Sequence, residues 1–253
     1  MTNKQIQLIA GLSDVKQRRR TGLFKAEGLK CVTDTIGHFE LRHLYATVDA
    51  SLPPDLDIQA ERVSRGEMQR MSSQVTTPPL IAVYAIPDST QPPLPDELSL
   101  TTSDLIIALD CVQDPGNLGT IIRLADWFGI KNIFCTPDTV DVYNHKVVQA
   151  TMGAISHVKV HYCDIGELIA QYPDIPVYGT FLDGDNIYRQ QVENRGFVIF
   201  GNEGKGISPQ LAGLVSRRLL IPAFAASGEA PESLNVGVAA AITISEFRRR
   251  TVQ

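Results

Sequence analysis

Four short segments of the chain bring glycines together with carboxylates and amides: DCVQDPGN (110–117), GTFLDGDN (179–186), GNEGKGIS (201–208) and IPAFAASGEAPESLN (221–235). Such mixtures let backbone approach a ligand closely while a few polar side chains orient it. The common nucleotide motifs do not fit. GNEGKG has its glycines at 201, 204 and 206, which is not GxGxxG, and no Gly-Lys-Ser/Thr closes a P-loop spacing. No GxSxG elbow points to a nucleophilic serine. His157 and His161 lie four apart but lack a third ligand and read as ordinary strand residues, so no metal site is expected. Cys31, Cys111, Cys135 and Cys163 are far apart and form no CxxC pair. Zinc and disulfide frameworks are therefore poor readings, and a reducing cytoplasm is the expected setting.

The elements that must position these segments alternate between two periods. LIIALD (105–110), NIFCT (132–136), VKVHYC (158–163), VYGTFL (177–182), FVIFGN (197–202) and RRLLIP (217–222) are short apolar runs suited to strands. Helical spacing separates them at 117–129, 145–156, 166–172 and 208–215, and LNVGVAAAITISEFRRR (234–250) closes the chain. Asn117 is expected to cap the first of these helices, with Gly129 as its stop. This alternation predicts a parallel sheet with helices on both faces, whose ligands bind beyond the carboxyl ends of the strands. The four polar segments fall at such ends. Residues 1–90 read as a smaller α/β module, with helices at 3–11 and 28–37 and strands at 23–27, 41–48 and 80–86. A proline-rich stretch, 86–104, reads as the break between modules. The expected division is thus 1–90, a linker at 91–103, and 104–253.

The chain has 253 residues, 43% of them hydrophobic, and a net charge of −5. No apolar run is long enough to span a bilayer, and the basic cluster follows the first apolar residues, the wrong order for a secretory signal. Residues 1–30 hold seven basic side chains against Asp14 and Glu27, a net charge of +5 on an otherwise acidic chain. A basic face on an acidic body suits local docking of a polyanion, and a solvated helix end would look the same.

Three segments together resemble a known family. DCVQDPGNLGTIIRLADWFGI (110–130), FVIFGNEGKGIS (197–208) and LLIPAFAASGEAPESLNVGVAAAITISEFRRR (219–250) are similar, in order and spacing, to the three motifs of the SpoU (TrmH-type) RNA 2′-O-ribose methyltransferases of the SPOUT class. HKVVQATMGAISHVKV, between them, follows the same course, and the resemblance covers 104–253. QRRRTGLFKAEGLKCVTDTI (17–36) more loosely resembles the α/β/α substrate-binding module that precedes many of these enzymes. That match falls on the basic segment, making Arg18, Arg19, Arg20 and Lys25 the expected RNA contacts.

The resemblance implies S-adenosylmethionine as methyl donor, RNA as substrate, a C-terminal segment threaded as a trefoil knot, and a cytoplasmic homodimer. Periodicity alone suggests only an open doubly wound sheet, because true knots are very rare. The resemblance also implies that Arg123 assists loss of the 2′-hydroxyl proton and that Asn117 orients the site. A guanidinium with a pKa above ~12 is a poor base, so engagement of the target phosphate and nascent oxyanion is the better physical reading. Glu203, Ser233 and Asn235 are placed in the catalytic pocket by the same likeness, and Thr180, Leu182, Gly201, Gly204, Ile221 and Leu234 around the donor. Helix capping would equally explain Ser233 and Asn235, and simple turns the two glycines. One departure is Gly237, where many relatives carry Ser; within a helix it costs roughly 1 kcal/mol against Ala. Ribosomal RNA is expected over transfer RNA. The competing readings are a tRNA-directed enzyme, a small-nucleotide enzyme and a non-catalytic RNA-binding or ribosome-assembly factor on the same scaffold.

Overall fold

The computed structural model describes residues 1–87, 105–224 and 233–249, so the expected linker at 91–103 falls outside the described residues. The chain forms two compact units, Met1–Asp88 with Asp141–His157, and Ser89–Val140 with Val158–Gln253. The division is therefore not simply linear, because 141–157 groups with the first unit.

In the first unit, β1 (Leu23–Glu27), β2 (Leu41–Thr47), β3 (Glu61–Val63) and β4 (Leu80–Ala85) form one sheet in the order β1-β4-β2-β3. Only β2 and β3 pair in parallel. Central β4 is buried along nearly its whole length, and its sequence, LIAVYA, is accordingly apolar throughout rather than alternating. Helices α1 (Asn3–Gly11) and α5 (Arg65–Met71) pack Ile6, Ile9, Met68 and Met71 against Ile81 and Val83. The alternate strand residues are met by α3 (Leu29–Thr35), whose Thr35 hydroxyl lies 2.9 Å from that of Tyr84. Phe24 packs against Tyr143 with ring centroids 4.7 Å apart and the rings tilted by 42°, which joins 141–157 to the same layer. Helices thus cover both faces, as expected of an α/β/α module. The short elements α2 (Val15–Thr21), α4 (Pro54–Asp57), β3 and α5 went unread in the sequence. They hold three to seven residues, too short for a hydrophobic period to show.

The second unit is a six-stranded, all-parallel sheet in the order β10-β8-β9-β5-β6-β7. Its strands are β5 (Leu105–Leu109), β6 (Asn132–Cys135), β7 (Lys159–Tyr162), β8 (Val177–Asn186), β9 (Gly196–Phe200) and β10 (Arg217–Leu220). Central β5 and β9 are buried at every residue, which requires cover on both faces. One side is closed by α8 (Ile165–Ala170) and α9 (Pro209–Ala212), through Ile165, Leu168, Ile169 and Leu211. The other carries α6 (Pro115–Trp127) and α10 (Val236–Arg249), which pack on each other; Phe247 meets Tyr178 edge-on at 4.9 Å.

Two helices differ from the sequence reading. Helix α6 is capped not by Asn117 but by Asp114, whose carboxylate accepts from the Asn117 amide at 2.8 Å, with Pro115 in the first turn. Proline at a helix start loses nothing, since its missing N–H is one of the unpaired donors there. The expected helix 145–156 is α7 (His145–Thr151) followed by a separate 3-10 turn (Ala154–Ser156). Met152 between them is left-handed, with φ 51.

Candidate active site

From β5 the chain runs to β6 and β7 at one edge of the sheet, whereas β8, β9 and β10 lie on the other side of β5. The carboxyl ends of β5 and β9 therefore flank the point where strand order reverses, the usual binding crevice of an open parallel sheet. The register fixes which residues meet there. Ala108 pairs with Ile199, and Ile199 with Gly179, so Asp110 and Gly201, just past their strands, stand level with Phe181 within β8.

The loops after β5 and β9 are latched together. Asp110 is buried and its carboxylate accepts from the Ser208 amide at 2.6 Å. Asn202 donates to the Cys111 carbonyl at 2.8 Å while its own side-chain oxygen accepts from the amides of Gly204 and Lys205, each at 3.0 Å. Gly201 has no substitute here: a Cβ would stand 2.2 Å from the Gly206 carbonyl carbon. The Cys111 thiol is pushed up to about 11 by its hydrogen bond to Asp138 and by burial, which disfavours its thiolate near neutral pH.

At the tip of this loop, Glu203 accepts from Asn117 Nδ2 at 2.8 Å. Asn117 Oδ1 accepts from Asn235 Nδ2, also at 2.8 Å. Asn235 Oδ1 in turn caps α10, accepting from the amides of Gly237 and Val238 at 3.0 and 3.2 Å. A carboxylate accepts only, so each amide in the series has a single compatible orientation. Three segments distant in sequence, the first turn of α6, the loop after β9 and the start of α10, are thereby held in one arrangement. Because Asp114 takes the capping role, the Asn117 side chain is free to serve it. Asn235 thus both caps α10 and links it to Asn117.

Arg123 lies two turns into α6, exposed and without an ion pair or hydrogen bond among the described residues. No hydrogen bond joins it to the Glu203–Asn117–Asn235 series among the described residues. Ser233, two residues before Asn235, is exposed and makes no side-chain hydrogen bond among the described residues. Gly237 is the second residue of α10, not an interior one. A Cβ there would sit 3.3 Å from Thr120 Cγ2 and 3.2 Å from Asn235 Oδ1, so the missing side chain lets α10 close on α6.

The residues expected around a donor lie along the same edge. Thr180 and Ile221 are half-buried, Gly201 and Gly204 form the latched loop, and Leu182 and Leu234 are 73% and 48% exposed. Uncovered leucines beside glycine backbone suit a ligand that is part apolar ring and part polar chain, and in that chemistry these residues fit S-adenosylmethionine. Asp110 and Asn202, which position the loops, were not singled out in the sequence. An Asn two residues before a Gly is a turn signal that could have marked Asn202.

Two of the four expected RNA contacts are corrected. Arg18 is only 2% exposed; its guanidinium donates to Asp141 at 2.9 and 2.6 Å and to the carbonyls of Leu12 and Ser13. Lys25 is 1% exposed, with Nζ 2.7 Å from the Met71 carbonyl and 3.0 Å from Glu27. Charge counting cannot distinguish a docking cation from one consumed inside the fold. Arg19 and Arg20 are exposed.

Residues 104–245 match the family model described as the SpoU rRNA Methylase family, and residues 3–82 match an MRM3-like substrate binding domain. The chain is 30% identical to the 23S rRNA (guanosine(2553)-2′-O)-methyltransferase RlmP of Bacillus subtilis, covering 97% of this chain and 96% of that protein. Among solved structures, a Porphyromonas gingivalis protein assigned to the TrmH family of RNA methyltransferases superposes with a TM-score of 0.83 and 36% identity, over 99% of each chain. An AdoMet-bound rRNA methyltransferase from Sinorhizobium meliloti superposes with a TM-score of 0.85 and 25% identity, over 100% of this chain and 97% of that one. With the latched loops, the reversal point and these matches in agreement, the chain belongs to the SpoU rRNA methylase family.

Proposed function

We propose that this protein methylates a ribose 2′-hydroxyl of ribosomal RNA, using S-adenosylmethionine. The observation that carries this reading is the oriented series Glu203–Asn117–Asn235 at the reversal point, with Arg123 exposed on the same helix as Asn117. RlmP, which spans nearly the whole chain, supports ribosomal over transfer RNA.

When bound, S-adenosylmethionine supplies a sulfonium methyl, a good electrophile, held along Thr180, Leu182, Gly201, Gly204, Ile221 and Leu234. A ribose hydroxyl is a poor nucleophile near neutral pH, so the chain must orient it and stabilise the charge that develops on its oxygen. Arg123 binds the neighbouring phosphate and the nascent oxyanion, and the 2′-hydroxyl proton is released to solvent water. Asn117, held from both sides, keeps α6 in register with the Glu203 loop. Glu203 is already committed to Asn117, which makes it an organising group first. Ser233 faces the same edge as a substrate or donor contact.

Arg123→Ala is expected to lower methyl transfer about a hundred- to a thousandfold while S-adenosylmethionine affinity, measured by calorimetry, is unchanged. Transfer at the wild-type rate would remove Arg123 from the mechanism. The same reading includes a knotted C-terminal segment, a cytoplasmic setting and a homodimer. The dimer is supported by apolar side chains exposed on α6 and α10, Trp127 at 84% and Val238 at 48%. Light scattering should give twice the 27.7 kDa chain mass; a single-chain mass at micromolar concentration rules the dimer out.

A further inference from the structure

Strand β10 pairs with β8 through two registers. Arg218 stands opposite Gly179, yet its immediate neighbour Leu219 stands opposite Asp185. Residues 180–184 must therefore arch away from the ladder and return within one step of β10. The return is tight, since a Cβ on Gly184 would lie 2.7 Å from the Leu219 carbonyl carbon and 2.9 Å from that of Arg218.

Both flanks of the arch are held. The Phe181 ring folds back over Gly179, where a Cβ would meet Phe181 at 2.6 Å, and packs against the core cluster that includes Ile207. On its outer face lies the guanidinium of Arg218, with Cζ 3.4 Å from the ring centroid. The same guanidinium pairs with Asp183. Exposed ion pairs alone contribute little; a planar cation stacked on an aromatic ring adds an attraction that depends on geometry. Extended backbone alternates its side chains, so fixing Phe181 and Asp183 on the Arg218 side turns Thr180 and Leu182 the other way. Leu182 is left 73% exposed.

We propose that Arg218 is a positioning residue for the methyl donor: it clamps Phe181 and Asp183 and so presents Thr180 and Leu182 to the bound S-adenosylmethionine. This rests on the donor reading above. Arginine serves better than lysine, because the planar guanidinium stacks on the ring and pairs with the carboxylate together.

The test compares wild type, Arg218→Ala, Arg218→Lys and Asp183→Asn by calorimetry with S-adenosylmethionine, by hydrogen exchange of the donor-free protein and by steady-state kinetics. Arg218→Ala should raise the donor Kd and donor KM roughly five- to tenfold and speed exchange at 180–184. The kcat at saturating donor and the KM for RNA should stay within about twofold. Arg218→Lys and Asp183→Asn should fall in between, and they stand in for Arg218→Ala should it fail to fold. Unchanged donor Kd in all three variants, or a parallel loss of kcat and RNA affinity, overturns the clamp. Failure of the wild type itself to bind S-adenosylmethionine overturns the functional reading beneath it, which the first comparison separates from failure of the clamp alone.

Discussion

Individual side chains in this protein are defined by which partners their neighbours leave open. Asn117 sits where a helix cap would be expected, but Asp114 with Pro115 takes that role and the Asn117 amide instead joins Glu203 to Asn235. Lys25 shows the converse, a basic residue in a basic segment that never reaches solvent. Burial lowers its pKa, against the pull of Glu27, so its cost is met inside the fold. Lys25→Met should destabilise the chain by roughly 3–5 kcal/mol in urea unfolding, because Glu27 would be left buried without its cation. RNA affinity of the folded variant should not change. A variant as stable as wild type with weakened RNA binding would place Lys25 back at the surface.

Short elements carry the stability that pH will reveal. Helix α5 opens with a capping box in which Ser64 and Glu67 satisfy each other, and Ser64 holds the Glu67 carboxyl down to about 2. Asp49, hydrogen-bonded by Arg65 at the start of α5, is likewise held at about 2. At the end of β1, burial by itself would raise Glu27, but Lys25, Ser72 and Ser73 together bring it below the usual carboxylate range. Each of these carboxyls is lower in the folded state than the 3.8 or 4.5 of the unfolded one. The unfolded chain therefore binds more protons between about pH 4.5 and pH 2, and stability must rise with pH across that window. Urea midpoints at pH 6, 4 and 2.5 should fall in that order, with most of the loss below pH 4.5. A midpoint independent of pH down to 2.5 would contradict these assignments.

Across the whole molecule, a chain of net charge −5 must still meet a polyanion, which confines binding to its basic elements. With Arg18 and Lys25 internal, the exposed cations of α2 are Lys16, Arg19 and Arg20. Substituting Arg19 and Arg20 together by Ala should weaken RNA binding and make the slope of log affinity against log salt shallower by roughly one to two. S-adenosylmethionine affinity should be unaffected. An unaltered salt slope would move the RNA footprint off α2.

Most of the architecture follows from the sequence alone. Apolar runs and helical periods are local, so the strands of the parallel sheet, the closing helix and the four polar strand ends could be read directly, as could the family from the joint spacing of its three motifs. Partnership is not local. Whether Arg18 faces solvent or Asp141, whether Asn117 caps its own helix or bridges two loops, whether 141–157 belongs with the strands that flank it or with the first ninety residues, and how Arg218 reaches across to Phe181 depend on groups far apart in the chain meeting at a few ångströms. Hydrogen bonds and ion pairs have that range and the hydrophobic period does not, which is why the tertiary structure alone decided them.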